Sequence, residues 1–301
     1  MNKLIIITGL TASGKSGLAL EIAKKYNGEI ISCDSVQVYI GLDIGSAKES
    51  SKNRQNIKHH LIDIVQPDFN YNVGHFLADC KQAVNDCIKR GKLPIIVGGT
   101  GMYVKALLEG YTLGSNKNEA FRKEKENKAL TEGKIAVWNE LNNLDNELAS
   151  KVHYNNLNRV IRYLELKKFG EPSKEKPIFS NFDILAVGID VQKDIIYPKI
   201  NARVDKMIED GLITEVKGLI AQGLNLTHSS MNTIGYREMY QYLTGEIEYD
   251  TCVELIKQHT RNYAKRQLTF MKTISGLKIV EKDEARRLIE KFVNCEDKND
   301  N

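Results

Sequence analysis

A parallel α/β sheet flanked by helices and interrupted by an inserted helical domain is the fold class that this sequence predicts, on three observations. Isoleucine-rich runs at residues 4–8 and 93–97 are apolar without alternation, the pattern of strands buried on both faces. Each leads at once into a glycine-containing turn and a helical period, so the chain reads strand, helix, strand, helix, the order of βαβ units. From Gly114 to about Pro177 that order stops, and Lys, Glu and Asn recur at helical spacing with hardly a strand-like run.

The elements follow in order. Strand 4–8 passes through a turn into a helix at about 16–26. Residues 29–32 read as a second strand, ending at Cys33-Asp34-Ser35, and 61–65 as a candidate third. Residues 73–90 have helical periodicity, closed by Gly91-Lys92. Strand 93–97 runs into Gly98-Gly99-Thr100-Gly101 and a helix through Leu108. The insertion, 114–180, is bounded by Gly114-Ser115 and the segment from Pro172 to Pro177; Trp138 with Leu141, Leu144 and Leu148 reads as its own core. Strand character returns at 182–189, and beyond Ile195 the chain is helical almost to its end. The core is then 1–113 with 181–295, and the polar residues 296–301 are expected to be disordered.

Composition narrows the class. Hydrophobic residues make up 42% and charged residues 27%, a balance that supports a real core. The 43 Lys and Arg against 39 Asp and Glu leave a net charge of +4, too weak to argue for nucleic acid alone. Five cysteines without a C-x-x-C pair argue against a disulfide framework or structural zinc, and fit a reducing compartment. No signal peptide precedes the first strand, and no apolar run nears the ~20 residues that span a bilayer. A cytoplasmic protein without a membrane partner is expected.

Gly9-Leu10-Thr11-Ala12-Ser13-Gly14-Lys15-Ser16 fits G-x-x-x-x-G-K-[ST] between a predicted strand and a predicted helix, as that motif requires. Glycines let the backbone curl so that successive N–H groups face phosphate oxygens, and the helix N-terminus adds partial positive charge. Lys15 supplies a full charge, and the Ser16 hydroxyl can ligate magnesium bound to the phosphates. The fold is thereby P-loop NTPase-like. Ordinary P-loop enzymes place a carboxylate at the end of another core strand to organise the metal. Here strand 93–97 ends in Gly-Gly-Thr-Gly, and the only acid at an early strand end is Asp34. Ligands of open α/β sheets bind outside the carboxyl ends of the strands, so Lys15, Asp34 and Thr100 should converge on one crevice. Asp34 can serve there as a base, or merely as a turn carboxylate.

Taken together, residues 9–16, 34–39 (DSVQVY), 43–48 (DIGSAK), 59–63 (HHLID), 98–103 (GGTGMY), 159–162 (RVIR), Arg203, 235–238 (GYRE), Thr260-Arg261 and 265–267 (KRQ) resemble the tRNA dimethylallyltransferases, in order and over nearly the whole chain. The resemblance implies transfer of a dimethylallyl group from dimethylallyl diphosphate to N6 of the adenine 3′ of the anticodon. It implies Asp34 as general base, Thr100 at the reaction centre, and Lys15, Ser16 with magnesium, and Arg203 on the departing diphosphate. The tRNA anticodon stem-loop would meet Asp34, Ser35, Val36, Gln37 and Thr100, and in the insertion Arg122, Asn158, Arg159, Val160, Ile161 and Arg162. Arg261 and Lys265 belong to a basic series, Lys257, Arg261, Lys265 and Lys272, that tracks a phosphate backbone or forms a solvated helix face. Leu10 stands where the family has proline, Phe270 where it has tryptophan, and Tyr163 where it has alanine. A monomer is expected. The competing readings are a P-loop kinase of a nucleoside or small metabolite, a non-catalytic RNA-binding NTP switch, and a prenyltransferase of free adenine nucleotides. His59-His60 could ligate a metal, but adjacent side chains of an extended chain point to opposite faces, which favours a structural role.

Overall fold

The computed structural model describes residues 1–49, 51–110, 118–170 and 176–295. In chain order these form β1 (Lys3–Gly9), α1 (Lys15–Lys25), β2 (Gly28–Ser32), α2 (Ser51–Asn56), β3 (His59–His60), α3 (Val73–Lys89), β4 (Leu93–Gly98) and α4 (Gly101–Glu109). Then follow α5 (Glu119–Thr131), α6 (Lys134–Leu144), α7 (Asn146–Ser150), α8 (Leu157–Phe169), β5 (Asp183–Ile189), α9 (Lys193–Glu209) and α10 (Leu212–Ala221). The chain closes with α11 (Tyr236–Leu243), α12 (Tyr249–Met271), β6 (Lys278–Val280) and α13 (Lys282–Asn294).

The six strands pair in parallel in the order β3-β2-β4-β1-β5-β6. β1 is central, with Ile7 opposite Val97 on one side and Val187 on the other. Its isoleucines are buried on both faces, which is why the run shows no alternation. One face packs against Leu18, Ile22, Ala285 and Ile289 of α1 and α13.

Two expectations about the strands are corrected. The third strand is His59–His60 rather than 61–65. Leu61 and Asp63 sit at φ 60° and 57°, left-handed conformations that end the extended ladder, and Val65 makes only an isolated bridge to Tyr39. The C-terminal region also contains a strand, β6, whose three residues pair with β5 and are too short to show a period.

Two compact units result, Met1–Glu109 with Pro177–Asn301, and Gly110–Lys176. The expected boundary residues Gly114-Ser115 and 172–175, like the tail 296–301, lie outside the described residues. In the second unit Val137, Leu141, Ala149, Val160, Ile161 and Leu164 form the core. Trp138 packs on it, and its indole N–H donates to the Val152 carbonyl at 2.9 Å. Leu144 is 65% exposed at the last position of α6, so it is not part of that core. No described helix is long and apolar enough to cross a membrane.

A buried ion cluster fastens β2 to α3. The Glu29 carboxylate accepts from Arg90 Nη2 at 2.6 Å and Nε at 3.2 Å, and contacts His60 Nε2 at 2.6 Å. His59 turns the other way, its Nδ1 at 2.6 Å from the Ile57 carbonyl, so the two imidazoles do not converge on one ion. Burial pushes the Glu29 carboxyl up, but Arg90 and His60 outweigh it and hold its pKa down at about 2. Such a group stabilises the fold above its unfolded pKa and loses that contribution as pH falls towards 2. Glu29→Gln is therefore expected to cost about 3 kcal/mol at neutral pH. In urea unfolding that deficit should narrow below about pH 4.5. A deficit independent of pH would contradict the ionic role.

Candidate active site

The loop after β1 is shaped by residues that accept unusual backbone angles. A Cβ on Gly9 would lie 2.9 Å from the Ile189 carbonyl, and Ala12 and Gly14 take φ 61° and 85°. Leu10 turns its side chain into an apolar cluster with Ile196, Ile200, Ala264 and Met271, so only its backbone serves the loop. Lys15 Nζ donates to the Leu10 carbonyl at 3.1 Å, folding across the loop that it opens the helix for. Ser13 Oγ is buried without a hydrogen-bond partner, an orphan that a bound phosphate oxygen would satisfy. Burial first, then the Arg203 guanidinium, lower the Lys15 pKa to about 8, against the opposing pull of Asp34. Arg203, on α9, is itself lowered by burial and raised by Asp34. Lys15, Asp34 and Arg203 thus share one electrostatic neighbourhood.

Sheet order explains why Asp34 and Thr100 meet. They follow β2 and β4, which are neighbours, and the two strand ends are laced by Cys33 N to the Val97 carbonyl at 2.8 Å and Thr100 N to the Cys33 carbonyl at 3.3 Å. A Cβ on Gly98 would come within 1.9 Å of the Cys33 oxygen, so glycine is required for this approach. Thr100 Oγ1 then accepts from Ser35 N at 3.1 Å. Asp34 Oδ1 accepts from Val36 N at 2.8 Å and Gln37 N at 3.3 Å. The turn role and the base role are therefore compatible: one oxygen holds the turn, and the other takes no hydrogen bond among the described residues.

Asp34 opens into a crevice of about 360 Å³, whose walls include Thr11, Arg203, Arg237, Tyr263 and Arg266. Val204, Met207 and Ile256 give one side an apolar surface beside the cations. Arg237 and Arg266 belong to the GYRE and KRQ segments, whereas nothing in the sequence marks Tyr263 as a wall of this crevice. Arg237 lies on α11, and Tyr263 and Arg266 lie three residues apart on α12, so both fall on the side of that helix that borders the crevice.

Of the residues expected at tRNA, Ser35 and Val36 line the crevice. Gln37 faces inward, accepting from Ser32 Oγ at 2.9 Å and reaching the Ser46 and Ala47 carbonyls at 3.4 Å. Arg261 donates to Asn201 at 2.7 Å and Lys257 pairs with Asp205 at 2.8 Å, tying α12 to α9, while Lys265 is exposed. In the insertion, Asn158 and Arg159 are exposed on α8, and Arg159 Nε donates to Tyr163 at 3.0 Å. Arg122 grips the buried Glu165 with two bonds of 2.8 and 2.7 Å, and Arg162 reaches it at 3.2 Å. The side chains of Val160 and Ile161 are fully buried in the insertion's core, where an amphipathic helix puts its apolar positions, so neither is presented on the surface.

The donors available to a divalent ion are oxygens. Ser16 is exposed at the start of α1 and shares a small cavity with Ser32, Gln37 and Glu49. His59 also lines that cavity, but its Nδ1 is held at 2.6 Å by the Ile57 carbonyl, and the oxygens of Ser16 and Glu49 are donors of the kind a hard cation takes together with phosphate oxygens and water.

Comparison with known proteins agrees with this construction. The family model described as IPP transferase matches residues 37–274, and that described as isopentenyl transferase matches residues 2–66. A tRNA dimethylallyltransferase 2 of Geotalea uraniireducens is 43% identical over 274 residues, covering 89% of this chain and 88% of that protein. A tRNA dimethylallyltransferase of Oceanobacillus iheyensis is 41% identical over 275 residues, covering 89% and 88%. Among solved structures, the full-length tRNA isopentenylpyrophosphate transferase of Bacillus halodurans aligns with a TM-score of 0.72 at 36% identity, over 97% of this chain and 96% of that one. A eukaryotic dimethylallyltransferase acting on tRNA aligns with a TM-score of 0.77 at 28% identity, over 97% and 80%. With a family model matched over residues 37–274 and relatives above 40% identity over most of both chains, the chain belongs to the tRNA dimethylallyltransferase family.

Proposed function

We propose that the crevice ionises dimethylallyl diphosphate and delivers its carbon 1 to N6 of the adenine 3′ of a tRNA anticodon. The observation that carries this reading is Asp34 lining one crevice with Arg203, its neighbour Ser35 bonded to Thr100, and Lys15 within the electrostatic reach of both Asp34 and Arg203, although Lys15 and Thr100 do not themselves line that crevice. Lys15, Arg203 and the backbone N–H groups of the loop meet the charge that grows on the diphosphate as the carbon 1–oxygen bond breaks, the largest source of acceleration for such a leaving group. The N6–carbon 1 bond forms, the N6 proton passes to Asp34, and diphosphate departs with the bridging oxygen. An aromatic amine is a poor nucleophile, so a carboxylate in reach helps as positive charge develops on nitrogen. Thr100 orients the centre through Ser35. Val204, Met207 and Ile256 offer the allylic tail an apolar wall and keep water from the cation. Magnesium, held by Ser16 and the diphosphate oxygens, would supply further neutralisation of the leaving group.

The acceptor is an anticodon stem-loop whose adenine leaves the stack to enter the crevice, with exposed Asn158, Arg159 and Lys265 as backbone contacts. We take the protein to act as a cytoplasmic monomer. The test is incubation with magnesium, labelled dimethylallyl diphosphate and an adenine-containing anticodon stem-loop. Label should enter the RNA and be absent when the target adenine is changed to guanine. No label in RNA, with ATP consumed by a small acceptor, would sink the reading in favour of a kinase.

A further inference from the structure

Gln267 lies on α12, far in sequence from both catalytic loops, yet its amide is bonded to each. Oε1 accepts from Thr11 N in the phosphate loop at 2.8 Å, and Nε2 donates to the Gly99 carbonyl at 2.9 Å. The side chain is 6% exposed, so both bonds are made away from water, where each is strong and each is costly to lose. Tyr263, one turn earlier, points its hydroxyl to the same Gly99 carbonyl at 3.4 Å, and Phe270 lies where a Cβ on Gly101 would be 2.5 Å from its ring. A Cβ on Gly99 would come within 2.3 Å of Gln267 Nε2. Three residues at i, i+4 and i+7 on one helix face therefore press on the Gly-Gly-Thr-Gly turn, and the glycines are what let them close in.

We infer that Gln267 is a positioning residue for the reaction: one amide locks the diphosphate loop and the Thr100 turn into a fixed relation. The peptide that precedes Thr100 carries the Gly99 carbonyl, so fixing that oxygen fixes Thr100 and, through its bond to Ser35 N, the turn that carries Asp34. The Thr11 N–H is occupied by Gln267, so the phosphate cradle is formed by the amides that follow it. An amide is the group that does this, because it offers one acceptor and one donor in a plane; a carboxylate offers two acceptors and repels the Gly99 oxygen.

The inference rests on the functional reading above, and the experiment separates the two. Gln267→Glu is prepared in the full chain beside Gln267→Ala, and inorganic diphosphate binding and transfer to the stem-loop are measured from about pH 8 down to about pH 6. A protonated carboxyl restores one acceptor and one donor. At about pH 8 Gln267→Glu should therefore bind diphosphate about tenfold more weakly and turn over about a hundredfold more slowly than the native chain. The ratio of variant to native kcat should recover at least about fivefold at the acid end, with KM for RNA unchanged. Gln267→Ala should keep its defect at every pH. A ratio flat with pH, or native kcat in Gln267→Ala with only a lowered Tm, overturns the inference. Native protein that binds diphosphate but labels no RNA would overturn the functional reading instead, and diphosphate binding by the variants would still decide the role of Gln267.

Discussion

Asp34→Asn is expected to slow transfer about a thousandfold while leaving diphosphate binding near native. The substitution is chosen for what it keeps. Asparagine still offers Oδ1 to Val36 N and Gln37 N, so the turn, the Ser35 amide and its bond to Thr100 remain in place. What disappears is the only carboxylate that lines this crevice among the described residues, the proposed acceptor of the N6 proton. Asp34→Ala removes the acceptor as well, leaving two backbone donors unpaired, and should lower stability by about 1–2 kcal/mol in addition. Single-turnover transfer and calorimetric titration with inorganic diphosphate distinguish the cases. Loss of diphosphate binding in Asp34→Asn would contradict the base assignment, because the variant keeps the loop backbone and both cations and removes only the smallest of the influences on the Lys15 pKa.

The second large effect concerns Lys15. Its pKa near 8 in the free protein means that the ammonium is only half formed at that pH. Diphosphate brings compensating negative charge and restores the protonated form, so binding takes up a proton. Affinity should be full below about pH 8 and fall roughly tenfold per pH unit above it. Calorimetry in buffers of different ionisation enthalpy should register uptake of about half a proton at the midpoint. Lys15→Ala should weaken binding about a hundredfold at neutral pH and remove the dependence. The folding linkage has the opposite sign: since the folded pKa lies below the ordinary 10.5, the ligand-free protein gains stability as pH rises between the two values. An affinity constant from pH 7 to about pH 10 would contradict this account.

The parts of the molecule legible in sequence are those whose physics is local. The phosphate loop announces itself because its backbone must curl and its helix must start at once, and the β1 and β4 runs because burial on both faces removes alternation. Leu61 and Asp63 were opaque for the same reason: a left-handed residue inside an apolar run leaves no mark on hydrophobicity. β6 borrows its stability from β5, and three residues cannot declare that. Val160 and Ile161 illustrate a different limit. A family pattern groups neighbouring positions of a helix, but a helix turns 3.6 residues per turn, so members of one run are divided between core and surface. Gln267 was visible only as a letter in a motif, since both of its partners are distant in sequence.

That distance has a consequence for how the enzyme comes into being. β1 and the phosphate loop leave the ribosome before their partners, for β1 needs β5 for one of its two ladders, and Thr11 waits for a side chain 256 residues further on. Until the insertion and α12 have been synthesised, the first strand has an uncovered edge and the loop lacks its anchor. A nascent or truncated chain ending before α12 therefore carries a complete phosphate-loop sequence without a complete phosphate site. Such fragments would bind diphosphate poorly, and it is only the synthesis of α12 that makes residues 9–16 competent.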